Sequence, residues 1–329
     1  MIYFVILCLF ISLATYLLLG GADYGAGVLE LFTAPRKREY HQHLTYKAIG
    51  PVWEANHVWL ILVLVIMFVG FPGLNSLVMT HLHIPLTILL VGIILRGTAF
   101  VFKHYDAVQD GSQKLYDSVY SWSSLFVPLF LGIVAGAILG DGIDPTAKDF
   151  YGAYMAPWLS PFAISVGVFT AAVCTFLAAA YLIGEGTEGD ETHYTRFTRK
   201  AKWANLIVVL SGGMVLLFGS SDFREEFLFG IGGGGIILAT VGVAAFWWVL
   251  GRRLFKLARV VAAGQVLVIL LAVGLYRWPT LVNGNSLYDM AAGESTINVL
   301  GGALIAGLAL IGPAFVYLSM VFKRSRGAS

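Results

Sequence analysis

Charge is scarce in this chain. Of its 329 residues only 12% are Asp, Glu, Lys or Arg, while 58% are hydrophobic and the mean hydropathy is +0.80; an average soluble domain is about 25% charged. A soluble globule is excluded. Cysteine is almost absent: Cys8 and Cys174 lie in separate apolar runs with no CxxC or CxxCH spacing, which excludes a thiol redox pair, a zinc site and covalently attached haem and leaves two packing residues. The net charge is only +2, and no basic stripe is interleaved with aromatics, so nucleic acid is not a partner. The first apolar run has no basic segment and no small-residue cleavage site ahead of it and reads as a retained span, not a removed signal peptide. Short alternating segments of the barrel type are also missing; runs such as residues 61–70 are continuously apolar.

What is there is a series of long apolar runs. A membrane-crossing helix needs about 20 such residues, and runs of that kind predict nine spans, at 2–32, 52–71, 77–102, 119–139, 160–183, 203–219, 227–250, 258–276 and 297–322. The fold class expected is all-α, a polytopic helical membrane protein. Basic residues fall overwhelmingly in alternate connections: Arg36, Lys37, Arg38 and Lys47; Lys103 and Lys114; Arg196, Arg199, Lys200 and Lys202; Arg252, Arg253, Lys256 and Arg259; Lys323, Arg324 and Arg326. The other connections hold only Lys148, Arg224 and Arg277. The positive-inside rule makes the first set cytoplasmic, with the N-terminus outside and the C-terminus inside.

Ionisable side chains within spans are costly, about 2.5 to 3.5 kcal/mol each at a helix centre, and each requires a reason. Asp23, Glu54, His57 and Arg96 are the main cases. A rise of 1.5 Å per residue puts Asp23 roughly 30 Å from the outer end of the first helix, Glu54 and His57 at the cytoplasmic opening of the second, and Arg96 about two turns before the inner end of the third, so all four lie toward the inner leaflet. Two costly opposite charges at one depth suggest a structural ion pair between Asp23 and Arg96. Glu54 and His57, at i and i+3, share a helix face, flanked by Trp53 and Trp59 in the manner of an interfacial aromatic belt. A carboxyl group there either snorkels to the interface or takes up protons from the aqueous side, and Glu54 beside His57 is the better proton-pathway candidate, with Asp23 next. His81 and His83 read as interfacial. The glycine-rich stretches GADYGAG, GIGGGGI and GGAL lie in spans with no preceding strand, so they are helix-packing seams and not phosphate loops.

GADYGAG at residues 21–27, GPVWEANHVWL at 50–60 and ILRGTAF at 94–100 resemble the corresponding stretches of subunit II of cytochrome bd-type quinol oxidases, the branch that includes cyanide-insensitive oxidases. Trp53, Asn56 and Trp59 form the specific core of that motif. The resemblance covers roughly the first 100 residues and implies two four-helix bundles, residues 1–140 and 141–280, with a peripheral ninth helix and cytoplasmic tail at 281–329. It further implies a bacterial cytoplasmic (inner) membrane location and a haem-bearing partner, subunit I, that holds two haems b, haem d and the quinol site. This chain itself would ligate no haem and no metal; a small single-span subunit and membrane lipid are further partners. Its implied role is to complete the oxidase and help deliver cytoplasmic protons for reduction of oxygen to water. Two departures stand out: Gly20 replaces the first acid of the family's D-G-F-D, and Glu54-Ala55 replaces Asp-Gly. Glu54 keeps the carboxyl, whereas a path through the missing acid is lost.

Two other classes compete. A multi-span secondary transporter or channel would account for intramembrane charges and abundant glycine, but inverted-repeat transporters place broken helices at the midplane of both halves, and here the ionisable residues crowd one leaflet. A self-contained haem protein needs facing histidines at one depth, which His57, His81 and His83 do not offer.

Overall fold

In a computed structural model, residues 1–49, 53–105, 113–185, 190–282 and 284–326 are described; positions 50–52 of the tryptophan motif lie outside them. The chain opens with α1 (Ile2–Thr15), passes through one π-helical turn at Tyr16–Gly20, and continues as α2 (Gly21–Leu31), so that Ile2–Leu31 forms one apolar span of 30 residues. A polar helix, α3 (Pro35–Ile49), leads to α4 (Trp53–Gly70) and the short α5 (Pro72–His81). Spans α6 (His83–Tyr105) and α7 (Gln113–Leu139) follow, then a single turn α8 (Phe150–Tyr154). The second half comprises α9 (Pro161–Leu182), α10 (Glu191–Phe218), α11 (Ser221–Phe229), α12 (Ile231–Gly251), α13 (Phe255–Tyr276) and α14 (Glu294–Arg326).

Local sequence explains where these helices start. Ser160 caps α9, its hydroxyl accepting from the Ala163 amide at 3.1 Å, with Pro161 in the first turn where no amide donor is needed. Asp190 caps α10 through the His193 amide at 2.9 Å. One helix was expected over 77–102; the structure breaks it at Leu82, and Pro85, lacking an N–H, sits in the first turn of α6.

Among the described residues eight helices are long and apolar enough to cross a membrane, against the nine expected. The ninth, 297–322, falls on α14, of which Glu294–Leu310 forms a shorter apolar stretch. The all-helical expectation also meets one exception, a two-stranded antiparallel hairpin of β1 (Thr280–Val282) and β2 (Asn285–Ser286) in the connection after α13. Gly284, at φ +75°, supplies the turn there.

The centre is α9, with 72% of its apolar window buried against 22–50% for the other spans. It packs on α2, α7, α10 and α13. Small residues permit the approach: a methyl added at Gly25 would fall on the Cys174 carbonyl of α9, and one at Gly27 on the Ser124 side chain of α7. The GADYGAG seam thus brings α2 against both neighbours and buries Asp23, Tyr24 and Glu30. Cys8 and Cys174 are buried and unpaired.

Candidate functional site

The polar interior begins on α2. Asp23 is 2% exposed and Arg96 of α6 1% exposed, and Arg96 Nη2 lies 2.6 Å from Asp23 Oδ1. The guanidinium is satisfied on several sides: Nε donates to Ser124 Oγ at 3.0 Å, while Nη2 reaches the Asp23 carbonyl at 3.3 Å and the Tyr120 hydroxyl at 3.4 Å. Its central carbon stands 4.7 Å from the Tyr24 ring centre and 5.1 Å from that of Tyr120. Such a cation is neither unpaired nor free to rotate. The Tyr24 hydroxyl in turn shares a 2.9 Å hydrogen bond with that of Tyr16, at the start of the π turn.

Two turns further along α2, Glu30 is buried as well, with Lys103 Nζ at 3.1 Å and the Gln42 amide donating at 2.5 Å. Lys103 also meets Asp117 at 2.9 Å and stands over the Tyr120 ring at 5.1 Å, which makes Tyr120 common to both clusters. This corrects the sequence reading of Lys103 as part of a connection: it lies on α6, 8% exposed and internal. Glu30, Tyr120 and Ser124 were missed altogether. The signal available was spacing, since Glu30 follows Asp23 by seven residues and Lys103 follows Arg96 by seven, two turns in each case.

Asp23 and Asn56 line one cavity of about 410 Å³ together with Ala48, Tyr181, Glu185 and Arg259. Asn56 is buried, at 5% exposure. Glu185, in the turn after α9, accepts from Arg259 Nη2 of α13 at 2.9 Å, while Arg259 Nε is buried with no partner among the described residues. The structure therefore pairs Asp23 with Arg96 and places Asp23 and Asn56 on one cavity. It places Glu54 exposed in the first turn of α4 and His57 half-buried with its ring edge-on to Trp53 at 6.3 Å, and neither lines the cavity. Trp53 packs on Phe100 at 4.9 Å, and Trp59 is half-buried against the Tyr16–Tyr24 cluster.

His81, His83, His193 and His41 are engaged locally. His81 Nδ1 lies 2.9 Å from the Ala153 carbonyl and His83 Nδ1 2.8 Å from that of Thr80. His193 bonds Tyr40 and the carbonyls of Leu182 and Ile183. His41, on α3 outside the spans, stacks on Phe197 at 5.6 Å. Burial, with Lys200, Lys103 and Arg196 adding to it, pushes its pKa down to about 3, so the ring is neutral at neutral pH. Among the described residues no three His, Cys, Asp or Glu side chains gather as a metal site.

Comparison with known proteins decides the family. The family described as cytochrome bd terminal oxidase subunit II matches residues 1–322. The chain belongs to this family. Relatives include the cytochrome bd ubiquinol oxidase subunit 2 of Bacillus subtilis (strain 168), 25% identical over 216 residues, which are 64% of this chain and 61% of that one. The cytochrome bd-I ubiquinol oxidase subunit 2 of Escherichia coli (strain K12) is 22% identical over 211 residues, 62% of this chain and 54% of that one. The matched stretch thus spans less than two thirds of either relative. The structure of bd oxidase from Geobacillus thermodenitrificans includes a chain of the same fold, with a TM-score of 0.74 at 23% identity, covering 97% of this chain and 98% of that one. As a subunit II family member with eight helices among the described residues long and apolar enough to cross a membrane, the chain is a membrane protein.

Proposed function

We propose that this chain is the non-haem subunit of a quinol:oxygen oxidoreductase of the bd type in a bacterial cytoplasmic membrane. The observation that carries this is the family match across residues 1–322. In this reading the chain pairs with a haem-bearing subunit I, and a small single-span subunit and membrane lipid can join the assembly. Two haems b and one haem d, bound in subunit I, carry electrons from quinol to oxygen. The engagement of His81, His83 and His193 with backbone carbonyls favours that division of labour. The helices form a first bundle in residues 1–140 and a second in 141–280, with α14 as a peripheral ninth span in 281–329, and the basic ends of α10 and α12 face the cytoplasm. The bias of Lys and Arg toward alternate connections supports this orientation.

Oxygen reduction consumes protons, and this chain's part is to admit them. Glu54, exposed in the first turn of α4, exchanges protons with the inner aqueous phase, aided by His57. Asn56, two residues on, opens on the cavity that reaches Asp23. At about 30 Å³ per water, 410 Å³ holds several molecules, enough for a hydrogen-bonded file. Arg96 holds Asp23 in place, so that the carboxylate organises those waters at the inner end.

The test uses the assembled oxidase. Glu54→Asp retains the carboxyl and is expected to keep most quinol-driven oxygen consumption; Glu54→Gln keeps shape and hydrogen bonding but cannot titrate and is expected to lose turnover with haem spectrum and subunit content intact. Full turnover by a normally assembled Glu54→Gln enzyme at every pH would remove Glu54 from the pathway without touching the family assignment.

A further inference from the structure

On the basic side of the protein, away from the Asp23 cavity, α10 and α12 enclose a groove of about 480 Å³. Its lining changes character along α10. Thr195, Thr198, Arg199 and Lys202 supply the polar end, then Trp203 and Leu206 continue as an apolar wall. The far wall is Trp247 of α12, whose indole N–H donates to the buried Asn205 at 3.1 Å and whose face lies 5.3 Å from Lys202 Nζ. The groove is therefore walled by a fixed ring and carries two cations. Among the described residues no carboxylate lines it. Nearby, Arg252 stands over Trp248 at 5.5 Å, adding positive potential to the same end of the bundle.

Two observations say what such a groove accepts. First, the helix that lines it passes from charge to exposed apolar surface, the change expected where a membrane goes from water to hydrocarbon: Arg199 and Lys202 precede Trp203, which is 59% exposed, and the residues that follow include exposed Ile207, Val209 and Leu210. Tryptophans of this sort sit at the headgroup level. Second, Thr198 Oγ1 is buried with no hydrogen-bond partner among the described residues. A helical threonine usually donates to the carbonyl four residues back, and a buried hydroxyl left unpaired is destabilising by about 1 to 3 kcal/mol. A ligand acceptor oxygen would satisfy it.

We propose that this groove is a binding site for one anionic phospholipid, its phosphate held between Arg199, Lys202 and the Thr198 hydroxyl and its acyl chains laid along Trp203 and Leu206. Basic residues near a membrane surface favour anionic headgroups, and a phosphodiester accepts both charge-assisted and hydroxyl hydrogen bonds. Charge complementarity selects an anionic over a zwitterionic lipid. The apolar wall selects a diacyl lipid over a free anion.

The experiment uses the complex as extracted from its membrane, stripped of lipid in detergent and titrated with phosphatidylglycerol, phosphatidylcholine or inorganic phosphate, reading thermal stabilisation and lipid retained in native mass spectra. Phosphatidylglycerol alone is expected to stabilise and to be retained. Arg199→Gln with Lys202→Gln is expected to raise its half-saturating concentration about thirtyfold, whereas Lys148→Gln on the opposite side leaves it unchanged. Thr198→Val, which preserves shape and removes only the hydroxyl, is expected to raise it about tenfold; this variant carries the test if the double variant fails to assemble. Equal effects of the two lipids, equal stabilisation by inorganic phosphate, or an unaltered titration in Thr198→Val and the double variant would each overturn the assignment.

Discussion

Asp23 and Glu30 lie two turns apart on α2, and each is met by a cation from α6 exactly 73 residues later in the chain, Arg96 and Lys103. An identical offset means that the two helices run in the same direction, as the first and third spans of a serpentine chain must. It also sets the two ion pairs about 10 Å apart along the bundle, joined by Tyr120. The pairs differ in redundancy. Asp23 and Arg96 are both nearly inaccessible, whereas Lys103 has a second carboxylate in Asp117, itself 24% exposed.

Removing one member of the inner pair leaves a buried charge uncompensated. Asp23→Asn or Arg96→Gln is expected to destabilise by roughly 3 to 5 kcal/mol, and the double variant by clearly less than the sum, because each change removes the reason for the other. Thermal unfolding of the four proteins in one detergent checks this; strictly additive losses would mean the contact carries no coupling.

The outer pair is expected to be more forgiving. Glu30→Gln keeps a hydrogen-bonding group beside Gln42, and Lys103 retains Asp117, so a loss of about 1 to 3 kcal/mol is expected, smaller than that for Asp23→Asn. Lys103→Met removes the cation that two carboxylates share and is expected to cost more than Glu30→Gln in the same unfolding assay.

Hydropathy locates spans because it reads a slab, and for the same reason it misplaces helices. The span expected at 203–219 is the apolar part of α10, which begins at Glu191; Arg196, Arg199 and Lys202 belong to the same helix, ahead of that part. Counting charges by side assigns Lys103 to a connection, whereas it lies on α6 and its side chain is internal. Depth arithmetic put Asp23 and Arg96 at one level, which is enough to suggest their contact. The facing of α4 is another matter. Nothing in WEANHVW says that Asn56 and not Glu54 turns toward Asp23, because the rotation of one helix against its neighbours is set by packing across the whole bundle.

The glycine seam offers a steric test. Gly25→Ala places a methyl on the Cys174 backbone carbonyl, which cannot rotate away, whereas Gly234→Ala meets nothing within 4 Å. Gly25→Ala is expected to destabilise by about 1 to 3 kcal/mol or more through overpacking and to lower the yield of folded protein, while Gly234→Ala is neutral or slightly stabilising. Comparable folded yields from the two would show that α2 can shift away from α9 without loss.

Orientation is expected to follow the basic residues. Cysteines introduced at Arg199 and Arg253 should react with a membrane-impermeant maleimide only from the cytoplasmic side, and those at Asp144 and Asp289 only from outside. Background labelling is low because Cys8 and Cys174 are buried. Reaction at position 144 from the cytoplasmic side alone would invert the topology.

His41 ties the polar helix α3 to α10 and makes the fold acid-sensitive. Its ring is stacked on Phe197, and burial reinforced by Lys200, Lys103 and Arg196 lowers its pKa from 6.5 to about 3. An unfolded chain takes up this proton near pH 6.5 and the folded one resists until about pH 3, so between those values the unfolded state binds more protons and stability rises with pH. The contribution is complete above pH 6.5 and is lost as pH falls, by about 1.4 kcal/mol per pH unit while the difference persists. Unfolding measured from pH 7.5 to 4.5 should therefore show a steeper loss for the parent protein than for His41→Phe, which keeps an aromatic ring against Phe197 and cannot be protonated. Superimposable pH profiles would mean that His41 is hydrated in the folded state and titrates as it does when unfolded.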